Sequence, residues 1–89
     1  MTLSEAMMIT LPKIDVHGEP KDVARVLIND FINDQKKMKN EYVEIIYWNG
    51  TGALRSVTYN LLKSRKDIVD YKSPYNNRGS VIIKINLTF

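Results

Sequence analysis

Residues 42–55 read YVEIIYWNGTGALR, a stretch that joins a β-strand to a helix through a glycine turn. Aromatic and β-branched residues fill its first half, so this run predicts a central strand of a parallel sheet. Gly50 and Gly52 supply the turn, and Thr51 is a candidate cap for the helix that follows. The inner face of that helix is predicted to carry five apolar residues: Ala53, Leu54, Val57, Leu61 and Leu62.

The flanking segments complete an α/β pattern. Residues 13–17 form a short β-favouring run that stops at Gly18, and Pro20 opens a helix whose apolar periodicity runs to about residue 39. Three later ranges predict a modest strand (67–72), a hairpin turn (73–79) and a clear final strand (80–87). The order β-α-β-α-β-β predicts an α/β two-layer sandwich, with a mixed four-stranded sheet and two helices.

Length and composition bound the class of protein. Eighty-nine residues make one small domain, which we divide into an N-terminal lead-in (1–11) and a folded domain (12–89). Cysteine is absent from the chain, which excludes a disulfide scaffold, a zinc finger and a cysteine nucleophile. The single histidine excludes a metal cage built from histidines.

Charge and hydropathy indicate the kind of partner. Lys and Arg number 13 against 10 acidic residues, so the net charge is +3 and the pI is about 9.2. This excess leans toward a polyanionic partner. No apolar run approaches the roughly 18 residues of a membrane span, and the N-terminus lacks the basic start of a signal peptide. We therefore expect a cytoplasmic protein without a membrane partner.

Two strand ends are expected to form the functional site. A right-handed β-α-β connection makes the first two strands parallel, so their carboxyl ends share one edge of the sheet, where α/β folds bind ligands. The first strand ends in Asp15 and His17. His17 is suited to proton transfer near neutral pH, and Asp15 can orient its imidazole. The alternative is structural: Asp15 caps a turn and His17 packs beside it.

The glycine turn at the second strand end favours anion binding. Glycines let a ligand approach the backbone, and a helix N-terminus attracts phosphate. Arg55 lies one turn into the helix and can add a guanidinium. The alternative is an ordinary tight turn, since short glycine motifs are common.

Aromatic and basic residues beside the turn are further candidates. Tyr47 and Trp48 either stack on bases or belong to the core, and because neighbours on a strand point to opposite faces we expect at least one to be buried. Lys13, Arg55 and Arg78 are candidate contacts to a nucleic-acid backbone. The basic residues of 63–66 are better explained as the charged end of a helix.

The motifs at the two strand ends carry a family resemblance. Residues 14–18, IDVHG, and 45–55, IIYWNGTGALR, are similar to the Smr (small MutS-related) domain, and the resemblance extends over about residues 12–87. It implies the same β-α-β-α-β-β sandwich and binding of DNA or RNA, with DNA nicking or RNA cleavage in many members. It also implies a larger MutS-like chain, or a ribosome-associated partner, as further partners.

The resemblance is uneven between the two motifs. The family motif Leu-Asp-x-His falls on residues 14–17, with Ile14 in place of leucine. The second motif, His-Gly-x-Gly, falls on residues 47–50 and keeps only its last glycine, because Tyr47 replaces the histidine and Trp48 the first glycine. A phenol is a poor base at neutral pH but can still donate a hydrogen bond.

These observations define the predicted site. Asp15 and His17 are its catalytic candidates. Its nucleic-acid-binding candidates are Lys13, Tyr47, Trp48, Asn49, Gly50, Thr51, Gly52, Arg55 and Arg78. No cofactor is predicted, and Asp15 alone supplies too few carboxylates to indicate a divalent metal. Three functions remain open: an endonuclease, a nucleic-acid-binding module that does not cut, and a protein-interaction domain of the same fold.

Overall fold

A computed structural model describes residues 1–48, 52–74 and 79–88. Three helices and four strands lie along these ranges, with one helix before each of the first three strands. The helices are α1 (Leu3–Ala6), α2 (Lys21–Lys37) and α3 (Ala53–Ser64). The strands are β1 (Lys13–Asp15), β2 (Tyr42–Ile46), β3 (Ile68–Lys72) and β4 (Ser80–Ile85).

The strands form one mixed sheet in the order β1-β2-β4-β3. β1 pairs in parallel with β2, with Asp15 opposite Ile46. β4 runs antiparallel to both of its neighbours, β2 and β3. The predicted mixed sheet and α/β sandwich are therefore confirmed. β2 has a parallel neighbour, β1, on one side and an antiparallel neighbour, β4, on the other.

The main core lies between one sheet face and helices α2 and α3. Alternate residues of β2 and β4 point into it, because successive side chains of a strand face opposite sides. The core residues from the two strands are Val43, Ile45, Val81, Ile83 and Ile85, all fully buried. Ala24, Ile28 and Ile32 recur at intervals of four on α2 and close the layer from above.

The opposite sheet face is partly covered by the N-terminal segment. Thr2 caps α1 through a reciprocal pair of hydrogen bonds with Glu5, which lets a four-residue helix form. Ala6 and Leu11 then pack against Tyr42 and Ile82, forming a second small cluster. The predicted lead-in thus contains a helix that shields apolar side chains of the sheet.

A charged network ties α2 to the segment between α3 and β3. The Arg65 guanidinium donates to both carboxylate oxygens of Asp67, at 2.9 and 2.8 Å, and to the side-chain oxygens of Asn29 (2.8 Å) and Asn33 (2.9 Å). Lys36 donates to the same Asp67 carboxylate at 3.3 Å. Because Asp67 is buried, these hydrogen bonds replace the hydration that its carboxylate loses on folding.

Element ends differ from the sequence prediction by a few residues. β1 ends at Asp15 rather than at residue 17, because the Asp15 carboxylate accepts the backbone N–H of His17 (3.0 Å) and turns the chain. β4 ends at Ile85 instead of residue 87. The N-cap of α3 is Gly52, with φ of 81°, rather than Thr51, which lies outside the described residues.

Candidate nucleic-acid interface

The carboxyl ends of β1 and β2 lie side by side. The backbone N–H of Val16 donates to the carbonyl of Ile46 at 2.8 Å, so the pairing continues to the last residue of β2. His17 lies just beyond the end of β1, and Tyr47 directly follows β2. The expectation that the two strand ends share one edge of the sheet is thereby confirmed, and α2 and α3 both begin from that edge.

Asp15 and His17 form a hydrogen-bonded pair at this edge. Nδ1 of His17 lies 2.6 Å from Oδ1 of Asp15, and both side chains are exposed, His17 by 59%. A carboxylate oxygen can only accept, so Nδ1 carries the hydrogen and, in the neutral ring, Nε2 is the basic nitrogen. Within the described ranges the imidazole bonds only to Asp15, through Nδ1, on a side chain that is mostly exposed.

The pair also keeps its carboxylate ionised. Partial burial by itself raises the pKa of the Asp15 carboxyl, but hydrogen bonds from the His17 ring and backbone, together with the charge of the ring, hold that pKa below its usual value. Gly18 follows with φ of 82°, a conformation that other residues adopt only with strain, so the chain can turn directly behind the imidazole. The sequence Asp-x-His-Gly therefore contains both the hydrogen bonds and the turn that position the imidazole.

Tyr47 belongs to the core. Its side chain is 2% exposed and its hydroxyl donates to the carbonyl of Ser80 at 3.2 Å. Burial raises the pKa of the phenol above its ordinary value. The ring packs edge-on against Tyr59, whose own ring meets Tyr71 in the same way. The predicted base-stacking role of Tyr47 is thus contradicted, because neither face of its ring is open, although the expectation that one aromatic of the pair is buried is confirmed.

Trp48 takes the opposite orientation and is 61% exposed. Its backbone N–H donates to the carbonyl of Gly79 at 3.0 Å, and its indole lies directly over the same glycine. A methyl group on Gly79 would come within 1.7 Å of Cε3 of the ring. Gly79 therefore provides the flat backbone surface on which the exposed indole rests.

We expect Gly79→Ala to displace the indole. Because the ring is mostly exposed, it can rotate away, so the expected cost is modest, about 1 kcal/mol of unfolding free energy. Trp48 is the only tryptophan of the chain, so its emission reports the movement directly. Gly18→Ala is the control for the emission readout alone: at a φ of 82° it is strained and has its own stability cost, but a methyl group there meets no heavy atom within 4 Å and leaves the indole in place. Identical emission spectra for the wild type and Gly79→Ala would contradict this packing.

Arg55 projects from the first turn of α3 and stacks on an aromatic ring. Its guanidinium carbon lies 4.9 Å from the centroid of Tyr59. The Tyr59 hydroxyl in turn bonds to the hydroxyl of Ser73 at 2.7 Å. A cation held over a ring keeps its outward N–H groups for an anion, so Arg55 is positioned as predicted, near the N-terminus of α3.

The positive charge of Lys13 is partly offset by a carboxylate on the neighbouring strand. Its ammonium lies 3.7 Å from the carboxylate of Glu44 on β2, which also accepts a hydrogen bond from Ser80 at 2.9 Å. Lys13 remains about half exposed. Its contribution to anion binding is therefore reduced by Glu44, a neighbour that only the parallel register of β1 and β2 reveals.

Of the five remaining predicted residues, the structure describes one, Gly52. Gly52 is the N-cap of α3 and makes no side-chain cap. Asn49, Gly50, Thr51 and Arg78 lie outside the described residues. In residues 1–48, 52–74 and 79–88, no three His, Cys, Asp or Glu side chains converge in a way that would hold a metal ion. None of the described helices is long and apolar enough to cross a membrane.

A family model described as the Smr domain matches residues 14–85. The chain belongs to the Smr domain family. Among curated relatives, it is 31% identical over 68 residues to endonuclease MutS2 of Halothermothrix orenii and 34% identical over 59 residues to endonuclease MutS2 of Agathobacter rectalis. These matches cover 76% and 66% of this chain but only 9% and 7% of the relatives, so the chain spans less than a tenth of their length.

Solved structures show the same Smr fold. The Smr domain of Thermus thermophilus MutS2 superposes with a TM-score of 0.80 at 17% identity, covering 84% of this chain and 98% of that one. YdaL, a stand-alone small MutS-related protein from Escherichia coli, gives a TM-score of 0.74 at 18% identity, covering 82% and 63%. The shared architecture extends across nearly all of this Smr domain.

The Smr domain also carries polar surface residues that motif reasoning missed. Lys21 and Arg25 on α2 line a groove with Ser56, Asn60 and Ser64 on α3. None belongs to either strand-end motif, so no short pattern marks them. The available signal was the composition of α3, whose sequence ALRSVTYNLLKS contains no acidic residue.

Proposed function

We propose that this Smr domain binds DNA or RNA at the edge formed by β1, β2 and the N-terminus of α3, and that the Asp15–His17 pair cleaves a phosphodiester bond there. The observation that carries the proposal is the 2.6 Å contact between the two side chains at an exposed strand end. A lone surface histidine has no fixed orientation, whereas this imidazole is held with Nε2 available as a base.

The binding part of the proposal rests on three neighbouring groups. The positive end of the α3 dipole faces the edge and attracts a phosphate. Arg55, held over the Tyr59 ring at 4.9 Å, adds a guanidinium. Trp48 exposes an indole on which a base can stack. The named activity of the MutS2 relatives, endonuclease, agrees with a phosphodiester substrate.

The chemical step follows from the pair. Nε2 of His17 accepts the proton of the attacking water, or of a ribose hydroxyl, while that oxygen forms a bond to phosphorus. The bond between phosphorus and the leaving oxygen breaks, and solvent water supplies the proton that the leaving oxygen takes. Asp15 stabilises the imidazolium formed on His17, and the α3 N-terminus and Arg55 stabilise the charge that develops on the phosphate.

A second function, binding without cleavage, is favoured by the burial of Tyr47. The resemblance places a histidine of the second motif at this position, and here the side chain is a core phenol hydrogen-bonded to Ser80. The edge thus has one imidazole where the family pattern has two. An Smr domain of this composition keeps its anion-binding groups even if cleavage is lost.

Two assays on the same protein separate these functions. Anisotropy of labelled single-stranded DNA, duplex DNA and structured RNA measures binding, and the affinity is expected to fall with salt, with a logarithmic slope of about 0.7–0.9 per phosphate contact. Incubation with supercoiled plasmid and structured RNA measures cleavage. Salt-sensitive binding with cleavage supports the full proposal, and binding alone supports the second function. Absence of binding at low salt would refute both and leave the protein-interaction domain.

A further inference from the structure

The outward surface of α3 carries a positive charge near each of its ends. Arg55 and Lys63 are exposed on it, and the helix contains no acidic residue. With a rise of 1.5 Å per residue, the eight steps from Arg55 to Lys63 span roughly 12 Å. That distance corresponds to three or four phosphates of one strand of a duplex.

Two shallow grooves flank this surface. One, of about 500 Å³, runs between α2 and α3 and is lined by Lys21, Arg25, Ser56, Asn60 and Ser64 among others. The second, of about 320 Å³, lies on the other side of Ser56 and Asn60 and is lined by Arg55, Tyr59 and Lys63. Ser56 and Asn60 thus form a polar ridge between two grooves, with a pair of cations on each side.

The grooves continue from the proposed site. Because β1 and β2 are parallel, α2 and α3 leave the same sheet edge and run in the same direction. Lys21 opens α2 and Ala53 opens α3, and both line the larger groove. A strand bound at the Asp15–His17 pair would therefore pass directly onto this surface.

We infer that the α3 track, defined by Lys21, Arg25, Arg55 and Lys63 with Ser56 and Asn60, binds the phosphodiester backbone of the nucleic-acid strand that leaves the proposed site. The inference rests on the proposed function and extends it beyond the reacting phosphate. Four cations and four side chains with a hydroxyl or amide group line the two grooves beside three apolar residues, and among their described lining residues no carboxylate occurs. Such a surface is complementary to a polyanionic backbone and reads no base sequence.

One ion pair borders the track and leaves its charge largely intact. Arg25 lies 3.4 Å from Asp22, three residues earlier on α2, and both side chains are exposed. Exposed pairs of this kind contribute little and are screened by salt. A phosphate can therefore compete with Asp22 for the Arg25 guanidinium.

The test compares two variants that each remove two positive charges from α2 or its end. Lys21→Gln/Arg25→Gln alters the track, and Lys37→Gln/Lys39→Gln alters exposed lysines at the other end of the helix. Binding of labelled 12-nucleotide single strands, one DNA and one RNA, is measured over a series of salt concentrations. We expect the track variant to bind five- to tenfold more weakly, with a salt slope lower by about 1.4 for two lost phosphate contacts.

The control variant is expected to stay within twofold of the wild type. Lys63→Gln, on the far side of the ridge, is expected to lower the slope by about 0.7 without touching the larger groove. If the wild type binds and the track variants match the control, the track is refuted while the proposed function stands. If the wild type binds neither strand, the proposed function itself fails. A difference between the DNA and RNA arms identifies which backbone the track accepts.

Discussion

Replacing His17 with alanine is expected to slow phosphodiester cleavage about 10²–10⁴-fold, the usual contribution of a positioned general base. The imidazole is exposed at the edge and is oriented by the 2.6 Å contact with Asp15. Removing it deletes the proton acceptor and leaves the phosphate-binding groups in place. Single-turnover cleavage of a supercoiled plasmid and of a structured RNA measures the effect.

Binding provides the control for this experiment. The His17→Ala variant is expected to hold the same oligonucleotides within about threefold of the wild type, because Arg55 and Trp48 are untouched. Asp15→Asn should give a smaller loss of rate, since the imidazole remains but the carboxylate that stabilises its charge is gone. Cleavage at the wild-type rate by His17→Ala would show that the pair has a structural role, in which Asp15 caps the turn and His17 packs beside it.

Asp67→Asn is expected to destabilise the fold by about 3 kcal/mol, because it leaves two partly buried cations without their counter-charge. Asp67 is only 9% exposed and bonds to both Arg65 and Lys36. For a domain of this size the loss corresponds to a fall in Tm of roughly 12–24 °C. Thermal and denaturant unfolding measure it. Asp30→Asn, an exposed aspartate on α2, is the control and should stay within about 0.5 kcal/mol.

The same contact predicts a pH dependence. Hydrogen bonds from Arg65 outweigh the opposing effect of burial and, with the charges of Arg65 and Lys36, hold the pKa of the Asp67 carboxyl below its ordinary value of 3.8. A lowered folded-state pKa contributes stability that is present above the unfolded pKa and is lost as pH falls through the folded value. The stability difference between the wild type and Asp67→Asn should therefore begin to shrink as the pH falls below about 4, and it should be lost once the pH is below the folded-state pKa of Asp67. A gap that persists unchanged under acid conditions would contradict this origin.

The sequence predicted the fold well because its signals are local. Alternating apolar residues in β4 and the period of α2 appear directly in the chain, and the right-handed crossover brings His17 beside the end of β2. The site was harder to predict, because its properties depend on neighbours distant in sequence. Glu44 offsets the charge of Lys13 only through the sheet register. Which of Tyr47 and Trp48 faces the core is likewise set by the packing of Tyr59 and Gly79.

The function of the α1 segment was not apparent from its composition. Thr2 and Glu5 form a capping box that is hard to detect in the sequence of a four-residue helix. Ala6 is buried because it packs in one cluster with Tyr42 and Ile82 of the second sheet face. The Arg65 network shows the same limit, since the basic run at 63–66 separates into two exposed lysines and one largely buried guanidinium. Periodicity cannot distinguish these two environments.

The strand that carries Asp15 also limits how far the sheet can grow. β1 forms one border of the sheet and offers an incoming strand only three residues of backbone. Its two outward-facing charges, on Lys13 and Asp15, would have to be desolvated by any chain that docked along that border. The short, charged strand that presents the imidazole therefore also protects this border of the sheet against the edge-to-edge pairing that leads to aggregation.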